Sequence, residues 1–202
     1  MAPPSPLPLP FRLACRRLGR RLTRHILFVW VQPQCVDWLE WQGNAYRLRR
    51  HFVASTSRVG VGQVEHSNRT PLGLHRVARR IGTGWPPGTV LRARTPAGFT
   101  WAGVPDAPIA HRILWLDGLD PGFNRGGSLD SFRRYIYIHG VGDELTLGRP
   151  ASRGCVHLPA LGLIELASAI PEGTLVWITT EPRTGRFNAA LTACSGAANG
   201  GL

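Results

Sequence analysis

The chain predicts a mainly β domain carrying one or two helices, and three observations make that prediction. Apolar residues come in short runs rich in Ile, Val, Trp, Tyr and Phe, broken by glycine and proline, as at residues 26–31, 35–41 and 45–54. Helical spacing stands out in one place, Leu161, Ile164, Leu166, Ala167 and Ile170, between Pro159 and the stop at Pro171 and Gly173. With 202 residues the chain is long enough for one substantial core and too short for two domains of ordinary size.

Taken in order, residues 1–25 read as a Pro/Arg-rich arm. MAPPSPLPLP is extended and unpacked, and Arg12, Arg16, Arg17, Arg20, Arg21 and Arg24 follow with no acid among them. A solvated arm is the favoured form, with an amphipathic helix on an anionic surface as the alternative. Residues 26–31 make a first strand. Their six apolar positions fall short of the roughly 7 to 15 a secretory leader requires, and nothing approaches the roughly 20 of a membrane span. No integral membrane segment is therefore expected.

Residues 35–41 and 45–54 form a hairpin about Gly43-Asn44, with Tyr46, Leu48 and Phe52 alternating on one face. Residues 55–68 are a polar loop, closed by Thr70-Pro71 before a strand over 72–78. A turn at 81–87 leads to a strand at 89–94, then to a loop holding Pro96, Gly98, Gly103, Pro105 and Pro108. Residues 111–116 resume the sheet. The connection 117–134 is long for a compact domain, and such loops commonly build sites. A strand at 135–138, the helix after Pro159 and a closing strand at 175–179 complete a domain over 26–180. Residues 181–202 are small and polar and read as a flexible tail.

The formal charge of +12 is the balance of 24 arginines, with no lysine, against 12 acidic residues. Half of it lies before the first strand, so the remainder is moderately basic. Such a surface suits anionic polymers or acidic lipids, and no nucleic-acid-binding motif accompanies it, so no nucleic acid is expected. Cysteines 15, 35, 155 and 194 fall in no disulfide or metal-finger pattern. Cys35 reads as a buried small hydrophobe, and Cys15 and Cys194 as tail residues.

The chemistry concentrates in YIYIHGVGDELTLGRPASRGCVHL, residues 135–158. A strand of aromatic and β-branched residues delivers His139 to Gly140, and Cys155 follows sixteen residues later. A thiol attacks as thiolate, and an imidazole within reach can take its proton. The Gly140 carbonyl is placed to fix the His139 tautomer, since no acidic partner is evident. Backbone N–H groups at Gly154 and Cys155 are candidates for holding an oxyanion, and the helix after Pro159 is expected to put its positive end near the sulfur. Ser152 either caps the local turn or orients His139. Arg153 reads as a carboxylate clamp or a surface arginine. His157 raises a zinc alternative with His139 and Cys155, set aside because a zinc-bound thiolate loses nucleophilicity.

His139-Gly140 followed by Ser152-Arg153-Gly154-Cys155-Val156-His157-Leu158 resembles the catalytic signature of the YkuD-type L,D-transpeptidases. Arg69-Thr70-Pro71-Leu72-Gly73 is similar to the family's upstream Thr-Pro-x-Gly. The stretch from Ile113 through Asn124-Arg125-Gly126-Gly127 to Asp130-Ser131 resembles the run before its catalytic strand. Family members often carry His where Arg153 stands, Arg or Asn where His157 stands, and Thr or Ser where Val141 stands. The resemblance implies a β-sandwich of mixed sheets with the main helix just after the catalytic cysteine, and peptidoglycan stem peptides as substrate.

It further implies a thioester at Cys155, loss of D-alanine, and transfer to an amine or to water. Cys155, His139, Gly140 and Gly154 are then catalytic. Ser152, Arg153, His157, Arg125 and Arg134 are candidates for substrate binding. No cofactor and no metal are implied, and the bacterial envelope is the expected location, with the cytoplasm as the alternative because no clear signal peptide is legible. The alternative is a cell-wall-binding module with a vestigial cysteine. Nothing in the sequence assigns an oligomeric state.

Overall fold

A computed structural model describes residues 7–183. In chain order these form α1 (Leu9–Arg17), β1 (His25–Trp30), β2 (Cys35–Trp41), β3 (Tyr46–Val53), β4 (Gly73–Ile81), β5 (Thr89–Arg92), β6 (Thr95–Phe99), β7 (Ala110–Gly118), β8 (Tyr137–Gly140), β9 (Val156–His157), α2 (Ala160–Ala169) and β10 (Leu175–Thr179). The strands join in one mixed sheet, ordered β3-β2-β1-β10-β4-β7-β5-β6, with β8 branching from β7 and β9 pairing with β8. Pairings β1–β10 and β8–β9 are parallel. The fold is thus mainly β with two helices, and its layers are continuous through β7.

Strands β1 and β7 are buried at every position, which is why ILFVW and ILWL read as unbroken apolar runs rather than alternations. On one face Leu27, Val29, Trp38 and Phe52 share a core with Ile138, Val156 and the α2 residues Leu163 and Leu166. The sheet therefore curls until the β3 side and the β8–β9 branch pack together with α2. On the other face Phe28, Trp30, Leu39 and Leu74 share a second core with Phe11 and Cys15 of α1.

The N-terminal segment departs from the expected arm. Residues 9–17 are helical because Pro8 and Pro10 suit a helix start and Phe11, Ala14 and Cys15 fall on one stripe that the sheet buries. Phe11 meets Phe28 edge-on at 5.1 Å and Trp177 at 6.0 Å between ring centroids. Cys15 is accordingly a core residue and not part of a tail. Cys35 is buried as expected, and Cys194 and residues 184–202 lie outside the described residues.

Two smaller corrections have local causes. The expected loop after residue 94 contains β6, because Ala93 and Arg94 take positive φ and fold the chain back on β5. Pro96 and Gly98 are tolerated there because β6 is an edge. Strand β8 starts at Tyr137 and not at 135, because Tyr135 has φ 55° and Ile136 donates its N–H to Ser131 O. Helix α2 begins after Pro159 and ends before Pro171, where its spacing placed it.

Candidate active site

Strand β8 carries His139 in from the sheet, paired with Ile113 of β7 on one side and His157 of β9 on the other. The imidazole is buried, and Nδ1 lies 2.8 Å from Gly140 O. A carbonyl only accepts, so Nδ1 bears the proton and Nε2 keeps its lone pair. Glycine at 140 lets β8 pack this close to β7: a Cβ there would sit 2.6 Å from His111 Cδ2 and 2.9 Å from Ala110 O. Burial pushes the His139 imidazole down to about 4, against a raising effect of the Gly140 bond. Near neutral pH it is an uncharged base.

Cys155 is set by a tight turn just before β9. Ser152 Oγ accepts the Gly154 N–H at 3.1 Å and donates to Cys155 O at 2.6 Å. Gly154 has φ 118°, and a Cβ there would stand 3.2 Å from Arg69 O, so glycine fits this position on two counts. Ser152 thus caps the turn and does not orient His139. The same bond occupies the Gly154 N–H, one of the two main-chain donors expected at an oxyanion.

The Cys155 residue is half-buried, with its sulfur walled in by β8. Sγ accepts the Tyr137 N–H at 3.4 Å, and the thiol donates to Tyr135 O at 3.5 Å. Burial pushes the thiol up to about 11, while the Tyr137 bond and the Arg134 charge pull the other way. The anticipated help from the end of α2 is supplied elsewhere. The Ala160 N–H at its start is held by Glu144 Oε1 at 2.6 Å, so a carboxylate already occupies that end. Stabilisation of a thiolate falls instead to Tyr137 N–H and Arg134.

His139 and Cys155 line one cavity of about 460 Å³, together with Ser152, Arg153 and His157. Arg153 is exposed at its wall. The His157 ring lies 4.8 Å from that of His139, and its Nδ1 is buried without a partner. Burial, and then the repulsion the two neighbouring rings would feel if both were protonated, push His157 down to about 3, so this position offers a neutral ring. Among the described residues no group of three His, Cys, Asp or Glu side chains is arranged to hold a metal ion.

Two candidate arginines are placed differently. Arg134 binds three backbone carbonyls, Gln63 O and Arg69 O at 2.7 Å and Gly62 O at 3.3 Å, so its fork staples the loop 62–69 instead of facing the cavity. Arg125 is exposed in the turn begun by Asp120 and does not line the cavity.

Arg58, Asp106 and Asp143 also stand at the cavity wall, without any local signal in the sequence. Arg58 arrives because its N–H bonds Ser152 O, joining the loop after β3 to the catalytic turn. That pairing spans 94 positions and leaves no local pattern. The Tyr137 N–H was missed for another reason: a main-chain donor has no signature in residue types.

Comparison with known proteins places this geometry. Residues 35–178 match the family model of the YkuD L,D-transpeptidase catalytic domain. Proteins named L,D-transpeptidase YkuD from Bacillus licheniformis and Bacillus subtilis are 34% identical over 61 residues and 33% identical over 60. Those matches cover 28% and 27% of this chain and 37% of each relative, well short of the relatives' full length. The structure of Bd1075 from Bdellovibrio bacteriovorus superposes with a TM-score of 0.53 at 16% identity, over 86% of this chain and 57% of that one. That likeness is one of fold. With residues 35–178 of 202 matched to its model, the chain belongs to the YkuD family of L,D-transpeptidase catalytic domains.

Proposed function

We propose that the protein is a cysteine-dependent L,D-transpeptidase acting on peptidoglycan stem peptides in the cell envelope. The observation that carries this reading is that Cys155 and His139 face one cavity, the imidazole having its tautomer fixed by Gly140 O and its other nitrogen unprotonated. Family membership supports acyl transfer as the reaction class.

Both groups rest uncharged, so activation occurs as substrate is attacked. His139 Nε2 takes the thiol proton while Sγ bonds to the carbonyl carbon of the third stem residue. The oxyanion meets the Cys155 N–H, a kind of donor worth roughly 3 kcal/mol. Collapse breaks the C–N bond, and the imidazolium returns its proton to the departing D-alanine amine. An amine from a second stem then attacks the thioester, giving a cross-link between third-position residues and restoring the thiol. Water in its place gives carboxypeptidase activity. Arg153 on the cavity wall is suited to a stem carboxylate.

The test is incubation of purified protein with a stem tetrapeptide, products being identified by mass. Wild type releases D-alanine and Cys155→Ala does not, although the variant still binds the peptide. Equal release by both refutes the enzyme. Binding without release by wild type supports a wall-binding module instead.

A further inference from the structure

Helix α1 lies outside the segment that matches the family model. Its inward stripe, Phe11, Ala14 and Cys15, is buried against the sheet. At 3.6 residues per turn the positions facing away from that stripe are 9, 13 and 16, two leucines and Arg16. Leu9 is 57% exposed and Leu13 is 55% exposed, with Leu22 at 46% in the segment that follows. A helix merely covering the core would carry polar residues at that pole.

The leucines are bordered by cations. Arg12, Arg16, Arg17, Arg20, Arg21 and Arg24 are exposed, and residues 7–24 contain no acid. Arg17 is bound by Asp120 and Arg24 by Glu40. Arg12, Arg16, Arg20 and Arg21 have no carboxylate partner among the described residues. Two exposed leucines one turn apart within a ring of unneutralised arginines match the surface of a helix lying in a membrane interface. The arginines suit acidic headgroups, each basic residue adding attraction near a negatively charged leaflet. A soluble polyanion would use the charges and gain nothing from the leucines.

We propose that the outer face of α1, Leu9 and Leu13 with Arg12 and Arg16, together with Arg20 just beyond its end, docks the protein on an anionic phospholipid surface. The helix lies flat, its leucines in the headgroup region, while its inner stripe keeps it fixed to the catalytic domain. It is too short to cross a bilayer, and among the described residues no helix is long and apolar enough to do so. The proposal is independent of the reaction assigned to Cys155.

The experiment is co-sedimentation of the full chain with phosphatidylcholine vesicles containing or lacking phosphatidylglycerol, at low and high salt. Binding is expected only with phosphatidylglycerol and is expected to weaken with salt. Leu9→Ser/Leu13→Ser should lower vesicle affinity by about tenfold, as should Arg12→Ala/Arg16→Ala/Arg20→Ala. Far-ultraviolet circular dichroism and thermal melting should match wild type, because none of the five side chains is buried. Absence of binding to phosphatidylglycerol vesicles at low salt overturns the proposal. So does undiminished binding by the leucine variant, or equal binding to phosphatidylcholine alone; the former marks a general polyanion site.

Discussion

At Cys155 burial pushes the thiol up to about 11, and at His139 burial pushes the imidazole down to about 4, so the resting pair is neutral and not an ion pair. Alkylation of Cys155 by iodoacetamide should therefore rise about tenfold per pH unit through the neutral range, following the thiolate fraction. A rate already flat at neutral pH would show a preformed ion pair and contradict this account. His139→Gln should slow D-alanine release by roughly 10² to 10⁴ with little loss of peptide binding. Gly154→Ala should cost about 1 to 3 kcal/mol of stability and slow release as well, since φ 118° strains any side chain and Arg69 O stands in its way; denaturant melts and turnover assays read both. That Cys155 and His139 deserve to be considered together was legible in the sequence, because side-chain identity marks a thiol and an imidazole, and the fold sets both on one cavity. The state of its main-chain donors was less so. Ser152 and Gly154 bond to each other, and only the folded turn reveals that their hydrogen bonds are already spent.

The elements differ in how openly the sequence declares them. Helix α2 and the hairpin β2–β3 follow from spacing and turn residues, both local signals. Strand β9 has two residues and exists because the turn before Cys155 brings it beside β8. Helix α1 is the instructive miss: Phe11, Ala14 and Cys15 form a stripe too short to stand out from the surrounding prolines and arginines, and the sheet supplies the rest. If that packing matters, Phe11→Ala should lower unfolding stability by about 3 to 5 kcal/mol in urea. An unchanged midpoint would mean that residues 9–17 behave as the solvated arm suggested by composition. Arg134 acts at this scale too, tying the loop 62–69 to the segment that precedes β8.

For the whole molecule the buried titratable groups set a pH window. His75 and His139 are held at about 4 and His157 at about 3, against an ordinary 6.5. Above 6.5 they are neutral in folded and unfolded chains alike. Below it the unfolded chain takes up protons that the fold excludes, so stability falls as pH drops from 6.5 toward about 3. Cys15 and Cys155, raised to about 11, and Cys35, raised to about 12, act at the other end. The unfolded chain ionises from 9.0 upward, the folded thiols resist, and stability falls as pH rises toward 12. Urea midpoints should be highest between pH 6.5 and 9.0, and a midpoint that rises on acidification below 6.5 would contradict the burial of these imidazoles. The central claim, that one sulfur carries the acyl group, is tested most directly by rapid acid quench of the protein with a stem tetrapeptide and no acceptor amine, followed by peptide mapping. The account predicts a tripeptide acyl adduct on Cys155 with one D-alanine released for each adduct, abolished in Cys155→Ala. D-alanine release that persists in Cys155→Ala, or an adduct on any other residue, would contradict it.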